Sequence, residues 1–144
     1  FTPPVSLIRA QKVALDLIER EGLDTRIDRT KKLAAATQAA FKAMGLKLIS
    51  DSPSPSVTGA FYPEGADDSV RKKLASEHGI HIAGGQDGKG ASWKGKIFRL
   101  SHMGHVSADD TRAALEAIES EFISAGVKLE AGTAVEAFNK SYGA

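Results

Sequence analysis

Leu46-Lys47-Leu48-Ile49-Ser50-Asp51-Ser52-Pro53-Ser54-Pro55-Ser56-Val57-Thr58-Gly59-Ala60-Phe61-Tyr62-Pro63 is the stretch that decides the fold class. Residues 46–49 read as a short strand and 51–56 as a Pro/Ser loop. Residues 57–62 read as a second strand, stopped at Pro63, which has no N–H to donate to a ladder. Two strands joined without an intervening helix pair antiparallel, so the class is α+β rather than doubly wound α/β. The loop is too short to be a linker, and a single domain is expected.

Downstream, Asp67 or Asp68 can cap a third helix through Val70, Leu74 and Ala75, with Gly79 as its stop. Residues 80–83 and 96–100 read as strands on either side of a glycine-rich run. Ser107 and Asp110 have capping-box spacing ahead of the stripe Ala114, Leu115, Ile118, Phe122 and Ile123, which ends near Gly126. A last helix is expected over 133–142. Upstream, Thr2-Pro3-Pro4-Val5 reads as a helix start with Thr2 as N-cap, and Gly22 as the stop. Asp24 can cap a second helix, in which Leu33, Thr37, Ala40, Phe41 and Met44 recur at helical spacing before Gly45. The expected architecture is two long leading helices, then a small, mainly antiparallel sheet in the order β-β-α-β-β-α, packed with helices. Within the single domain 1–144, residues 1–45 form connecting helices, 46–126 the α+β core and 127–144 a C-terminal extension.

Composition narrows the function classes. The 144 residues carry 19 Lys+Arg against 18 Asp+Glu, a net charge of +1. A protein held to nucleic acid mainly by phosphate contacts needs a strong basic excess, so nucleic acid is not an expected partner. No apolar run nears the ~20 residues of a membrane span, and no signal-peptide pattern opens the chain. The absence of cysteine excludes disulfides and thiolate metal sites. A cytoplasmic location is expected.

Few residues point to chemistry. Residues 84–95 contain five glycines. Gly90 to Lys96 has the spacing of a phosphate-binding loop, but Ile97 follows where Ser or Thr is needed, and the segment leads into a strand rather than a helix. The run is therefore either a plain connection or a loop shaped by a nearby ligand. Arg99 shares a strand face with Ile97 and Ser101. A guanidinium among apolar residues needs a partner, either an internal carboxylate or a carboxylate ligand. His78/His81 and His102/His105 form two His-x-x-His pairs without helical metal-site spacing or clustered carboxylates, so no metal is expected. His102 follows Arg99 closely enough to share a site, yet no partner that would orient a catalytic base is identifiable. Trp93 either packs a lid or covers the edge of the core.

The string Lys94-Gly95-Lys96-Ile97-Phe98-Arg99-Leu100-Ser101-His102-Met103-Gly104 resembles the C-terminal signature of class V, fold-type I aminotransferases that use pyridoxal phosphate. The alanine–glyoxylate and serine–glyoxylate enzymes and the so-called soluble-hydrogenase small subunits look like its nearest members. Thr2-Pro3-Pro4-Val5-Ser6-Leu7, Glu21-Gly22-Leu23, Gly45-Leu46, His78-Gly79-Ile80 and Ile82-Ala83-Gly84-Gly85 are similar to family segments in the same order. Ser101 departs from the glycine frequent there in relatives. The resemblance implies that Arg99 binds the substrate α-carboxylate. It implies that Thr2 reaches the cofactor phosphate of the neighbouring subunit in a homodimer, and that Gly84 and Gly85 form a turn near the active site. It also implies that the Schiff-base lysine lies in an N-terminal cofactor domain ahead of Phe1. The chain is then the C-terminal part of a longer enzyme, holds no catalytic residue of its own and, alone, neither binds the cofactor tightly nor transaminates. The expected function is transfer of an amino group between a small amino acid and an oxo acid such as glyoxylate. The alternative is a non-catalytic α+β binding or subunit module, since a fold does not fix a function.

Overall fold

The computed structural model describes residues 2–88 and 91–143. Helix α1 (Val5–Glu21) and helix α2 (Leu23–Ala43) are separated by Gly22 alone, whose φ of 80° turns the chain between them. The start of α1 corrects the expected Thr2 cap: the N-cap is Pro4, and no side chain caps the helix. Thr2 and Pro3 each precede a proline, which disfavours the helical region for both. Asp24 is likewise not a cap, because the turn at Gly22 lets α2 begin at Leu23 and leaves Asp24 in the first turn.

After α2 come strand β1 (Val57–Phe61), helix α3 (Ser69–Glu77), strands β2 (Ala83–Gly84), β3 (Asp87–Gly88), β4 (Ala91–Ser92) and β5 (Ile97–Ser101), then helices α4 (Ala108–Ser124) and α5 (Thr133–Tyr142). The main sheet is antiparallel with order β1-β5-β2, and β3 and β4 form a separate ribbon. The class is α+β, as expected, but the β-β-α-β-β-α order needs correction. Residues 46–49 make only one bridge, Leu48 to Ala60, plus backbone bonds from Ile49 N to Gly59 O (3.0 Å) and from Phe61 N to Lys47 O (2.9 Å). In 80–83, Ile82 turns into the core and only Ala83 continues into β2. The glycine-rich run carries the β3–β4 ribbon; Lys89 and Gly90, within it, lie outside the described residues.

One apolar core joins the sheet to four helices. Alternation along β5 points Phe98 and Leu100 inward. Phe98 is 1% exposed, and its ring lies 5.2 Å from Phe41 of α2, 5.1 Å from Tyr62 and 5.8 Å from Phe122 of α4. Leu33, Leu74, Leu115, Ile118 and Phe138 close around it. Helix α5 is tied in by Glu119 of α4, whose carboxylate accepts bonds from Gly132 N (2.7 Å) and Ala134 N (2.8 Å) at the start of α5. Helix α1 buries none of its residues, and Val5, Leu7, Ile8, Val13, Leu15 and Leu17 stand exposed.

The expected capping box at α4 is present. Ser107 Oγ accepts from Asp110 N (3.0 Å), and Asp110 Oδ2 accepts from Ser107 N (2.9 Å). Ser107→Ala removes the first bond and leaves an orphan N–H, so it should lower unfolding free energy by about 1 kcal/mol. A urea melt checks this.

Candidate functional site

Arg99 sits at the centre of the sheet, opposite Gly59 on β1 and Ala83 on β2. Its outward direction follows from alternation, since Phe98 and Leu100 take the core side. The neighbours fit it closely. A Cβ on Gly59 would lie 2.6 Å from Ile49 Cδ1 and 3.2 Å from Arg99 Cγ, so a side chain there would press on Ile49 and the arginine stem. At its far end the guanidinium is held by one carbonyl: Nε and Nη2 both donate to Gly84 O, at 3.2 and 2.8 Å.

Among the described residues, Arg99 pairs with no carboxylate. Of the two partners left open by the sequence, the internal salt bridge is therefore not the one found. The half-buried guanidinium instead opens onto a recess of about 230 Å³ lined by Ile49, Gln86, Trp93, Ile97 and Arg99 itself. Asp87, next to Gln86, accepts from Ser92 Oγ at 3.0 Å, and Asp68, beside Gly84, is paired too. Asp68 receives Arg71 Nε and Nη2, both at 2.8 Å, and the hydrogen bonds from Arg71 hold its carboxyl below the usual range. Arg99 thus keeps a positive charge with hydrogen-bonding capacity to spare, facing a space of small-molecule size.

Gly84 and Gly85 are not among the recess residues; Gly84 touches the site through the carbonyl that holds Arg99. Gly85 N donates to Ile97 O at 3.1 Å. A Cβ at Gly85 would fall 1.9 Å from the carbonyl oxygen of Trp93. Trp93 is half-buried beside Phe61, with ring centroids 6.0 Å apart, and edges the recess. Thr2 is exposed, just ahead of α1, and is not among the recess residues.

The histidines part company with Arg99. His102 is fully buried on the core side, its Nε2 2.9 Å from Thr58 Oγ1, and Nδ1 has no partner among the described residues. Burial pushes its imidazole down to about 4, so it is neutral and remote from the recess. His81 and His105 are exposed. His78 bonds Glu121 of α4, a contact across 43 positions that no local spacing announces.

The corner between α1 and α2 is fastened to the loop after β5. Glu21 pairs with Arg26 and Arg29, while Arg29 Nη1 donates to Val106 O (2.7 Å) and Arg26 Nη2 to Gly104 O (3.0 Å). Those hydrogen bonds hold the Glu21 carboxyl below its ordinary range. No helix among the described residues is long and apolar enough to cross a membrane.

This α+β fold, with its small antiparallel sheet, superposes on solved aminotransferase structures. Pyridoxamine–pyruvate aminotransferase from Mesorhizobium loti matches with a TM-score of 0.85 at 35% identity, over 98% of this chain and 36% of that one. In sequence the chain is 42% identical to an uncharacterized aminotransferase of Methanocaldococcus jannaschii, over 83% of this chain and 31% of the relative. It is 40% identical to the soluble hydrogenase small subunit of a Synechococcus species, over 88% of this chain and 32% of the relative. No protein-family model matches it. The chain belongs to the class V aminotransferase family, and a relative 34% identical to it is named serine–glyoxylate aminotransferase. The chain spans about a third of the length of the relatives it matches.

Proposed function

We propose that the chain is the C-terminal, smaller domain of a cytosolic, homodimeric transaminase dependent on pyridoxal phosphate, moving an amino group between a small amino acid and an oxo acid such as glyoxylate. In this reading Arg99 binds the α-carboxylate of the substrate. The observation that carries it is a guanidinium oriented by Gly84 O, without a carboxylate partner among the described residues, facing a recess of about 230 Å³. Relatives named serine–glyoxylate aminotransferase and (S)-ureidoglycine–glyoxylate transaminase, 34% and 33% identical, support the acceptor.

The recess does not fit the cofactor itself. Its lining offers neither a lysine to form an imine nor an acid to pair with a pyridine nitrogen. Those groups belong, in this proposal, to the N-terminal domain. The exposed apolar residues of α1 support such a domain, because a soluble chain ordinarily covers so broad a face. The exposed hydroxyl of Thr2 is available to a phosphate of the neighbouring subunit.

The contribution of this chain is then positional. The bond to Gly84 O fixes the plane of the guanidinium before substrate arrives, so the carboxylate meets an oriented fork rather than a mobile chain. Gln86 at the rim and the half-buried Trp93 bound the space beside it and favour a short substrate.

In the intact enzyme, Arg99→Ala should raise KM for the amino donor about tenfold or more, from loss of a charge-assisted pair, and leave the cofactor absorbance unchanged. Arg99→Lys should recover part of the loss. An unchanged KM in Arg99→Ala overturns the carboxylate assignment.

A further inference from the structure

We propose that His78, Glu121 and Glu77 form a binding site for a divalent transition cation such as Zn²⁺, joining the end of α3 to the last turn of α4. This site lies apart from the Arg99 recess, and the proposal does not depend on the transaminase reading.

Glu121 is the starting point. A glutamate in the last turn of a packed helix is expected to reach water, but this side chain is only 7% exposed. Its Oε1 lies 3.0 Å from His78 Nε2. Its Oε2 is buried and has no hydrogen-bond partner among the described residues. The nearest cation is Lys73 Nζ, at 3.6 Å, too long for a hydrogen bond and on a side chain half exposed to solvent. A buried carboxylate with one oxygen unsatisfied is costly, and a structure retains it where something satisfies that oxygen.

The neighbouring donors are those a cation would use. One ring nitrogen of His78, one carboxylate oxygen of Glu121 and one of Glu77 all lie within 4.8 Å of one another. Zinc bonds of about 2.0–2.1 Å place tetrahedral ligands about 3.4 Å apart. The His78–Glu121 separation already approaches that value. Glu77 is exposed and closes the rest by side-chain rotation. One imidazole and two carboxylates, with no thiolate, suit Zn²⁺, Co²⁺ or Mn²⁺, whereas Ca²⁺ and Mg²⁺ prefer all-oxygen cages. His78 is one-third exposed, so the site has a mouth for entry and room for a water as fourth ligand. Lys73, on its long stem, can swing into solvent when the cation arrives.

The local structure prepares these positions. Glu77 is the last residue of α3 and His78 its C-cap, so both side chains leave the helix where it meets α4. A bound ion there would fasten α3, whose start carries Asp68 and Arg71 beside Gly84, to the α4 framework.

The test uses the 144-residue chain without an affinity tag and Zn²⁺ alone, titrated calorimetrically in a non-coordinating buffer. One equivalent should bind, and the melting temperature should rise with Zn²⁺ as linkage requires. His78→Gln, Glu77→Gln and Glu121→Gln should each weaken binding about tenfold or more, whereas His105→Gln should not. Co²⁺ in place of Zn²⁺ should give visible ligand-field absorption that His78→Gln abolishes. If Glu121→Gln fails to fold, the other two variants decide, since His78 and Glu77 reach solvent. Absence of a bound equivalent, or its survival at full affinity in both His78→Gln and Glu77→Gln, overturns the proposal.

Discussion

Gly85→Ala is expected to destabilise the chain by about 3 kcal/mol, at the upper end of the range for an overpacked site, while Gly84→Ala next to it costs little. The asymmetry comes from what each new methyl would meet. At Gly85 the obstacle is backbone: a Cβ would lie 1.9 Å from Trp93 O and 2.6 Å from Trp93 C. That carbonyl cannot yield freely, because it accepts the Lys96 N–H at 3.1 Å in the turn that launches β5. At Gly84 the nearest atoms are the Arg71 Nε, 3.1 Å away, and Asp68 Oδ1, 3.3 Å away, both ends of side chains that can shift. Relief at Gly85 requires pushing β2 away from β5, and Gly84 O moves with it. Arg99 then loses the one carbonyl that orients it. Urea denaturation of the two variants reads the stability difference. In the intact enzyme Gly85→Ala should also raise substrate KM, and equal melts for the two variants would refute the account.

Acid should weaken the fold through His102. Its folded value of about 4 lies below the ordinary 6.5, so the neutral ring is the form the fold accepts. For such a group stability is full above about pH 6.5, falls as pH drops and the unfolded chain takes up the proton first, and levels off below about 4. Two and a half units correspond to about 3 kcal/mol across that window. The cause is physical and local: the ring is fully buried, bonded to Thr58 through Nε2, and Nδ1 has no acceptor among the described residues for an added proton. Urea midpoints measured from pH 7 to 4 should slope more steeply for the native chain than for His102→Gln. Parallel slopes would assign the acid sensitivity to the carboxylates instead.

The sequence was most legible where a local interaction and a periodic pattern agreed. Helix α4 shows both, with the Ser107–Asp110 box at its start and the Ala114, Leu115, Ile118, Phe122 stripe buried. Ile123, the outlying member of that stripe, is 37% exposed. Arg99 was legible for the same reason, since alternation along 97–101 isolates it from Phe98 and Leu100. Short apolar runs overstate the strands. Residues 46–49 and 80–83 have strand composition, but a strand also needs a partner edge of matching length, which composition does not reveal. The β3–β4 ribbon ran the other way, because glycines carry no strand propensity to mark it. The pairing of His78 with Glu121 spans 43 positions and depends on how α3 lies against α4, so no motif could announce it.

The Glu21–Arg26–Arg29 fastening has a mechanical consequence. Helix α1 has 17 residues, which makes it about 26 Å long, and its inner end is bolted to the segment that follows the strand of Arg99. A tilt of about 10° at that bolt would carry the free tip through about 4–5 Å, given that length. Any body seated on α1 therefore inherits the orientation of the guanidinium with a leverage set by three side chains. Loosening Arg29 would be felt as a change of aim at Arg99 rather than as a change in its chemistry.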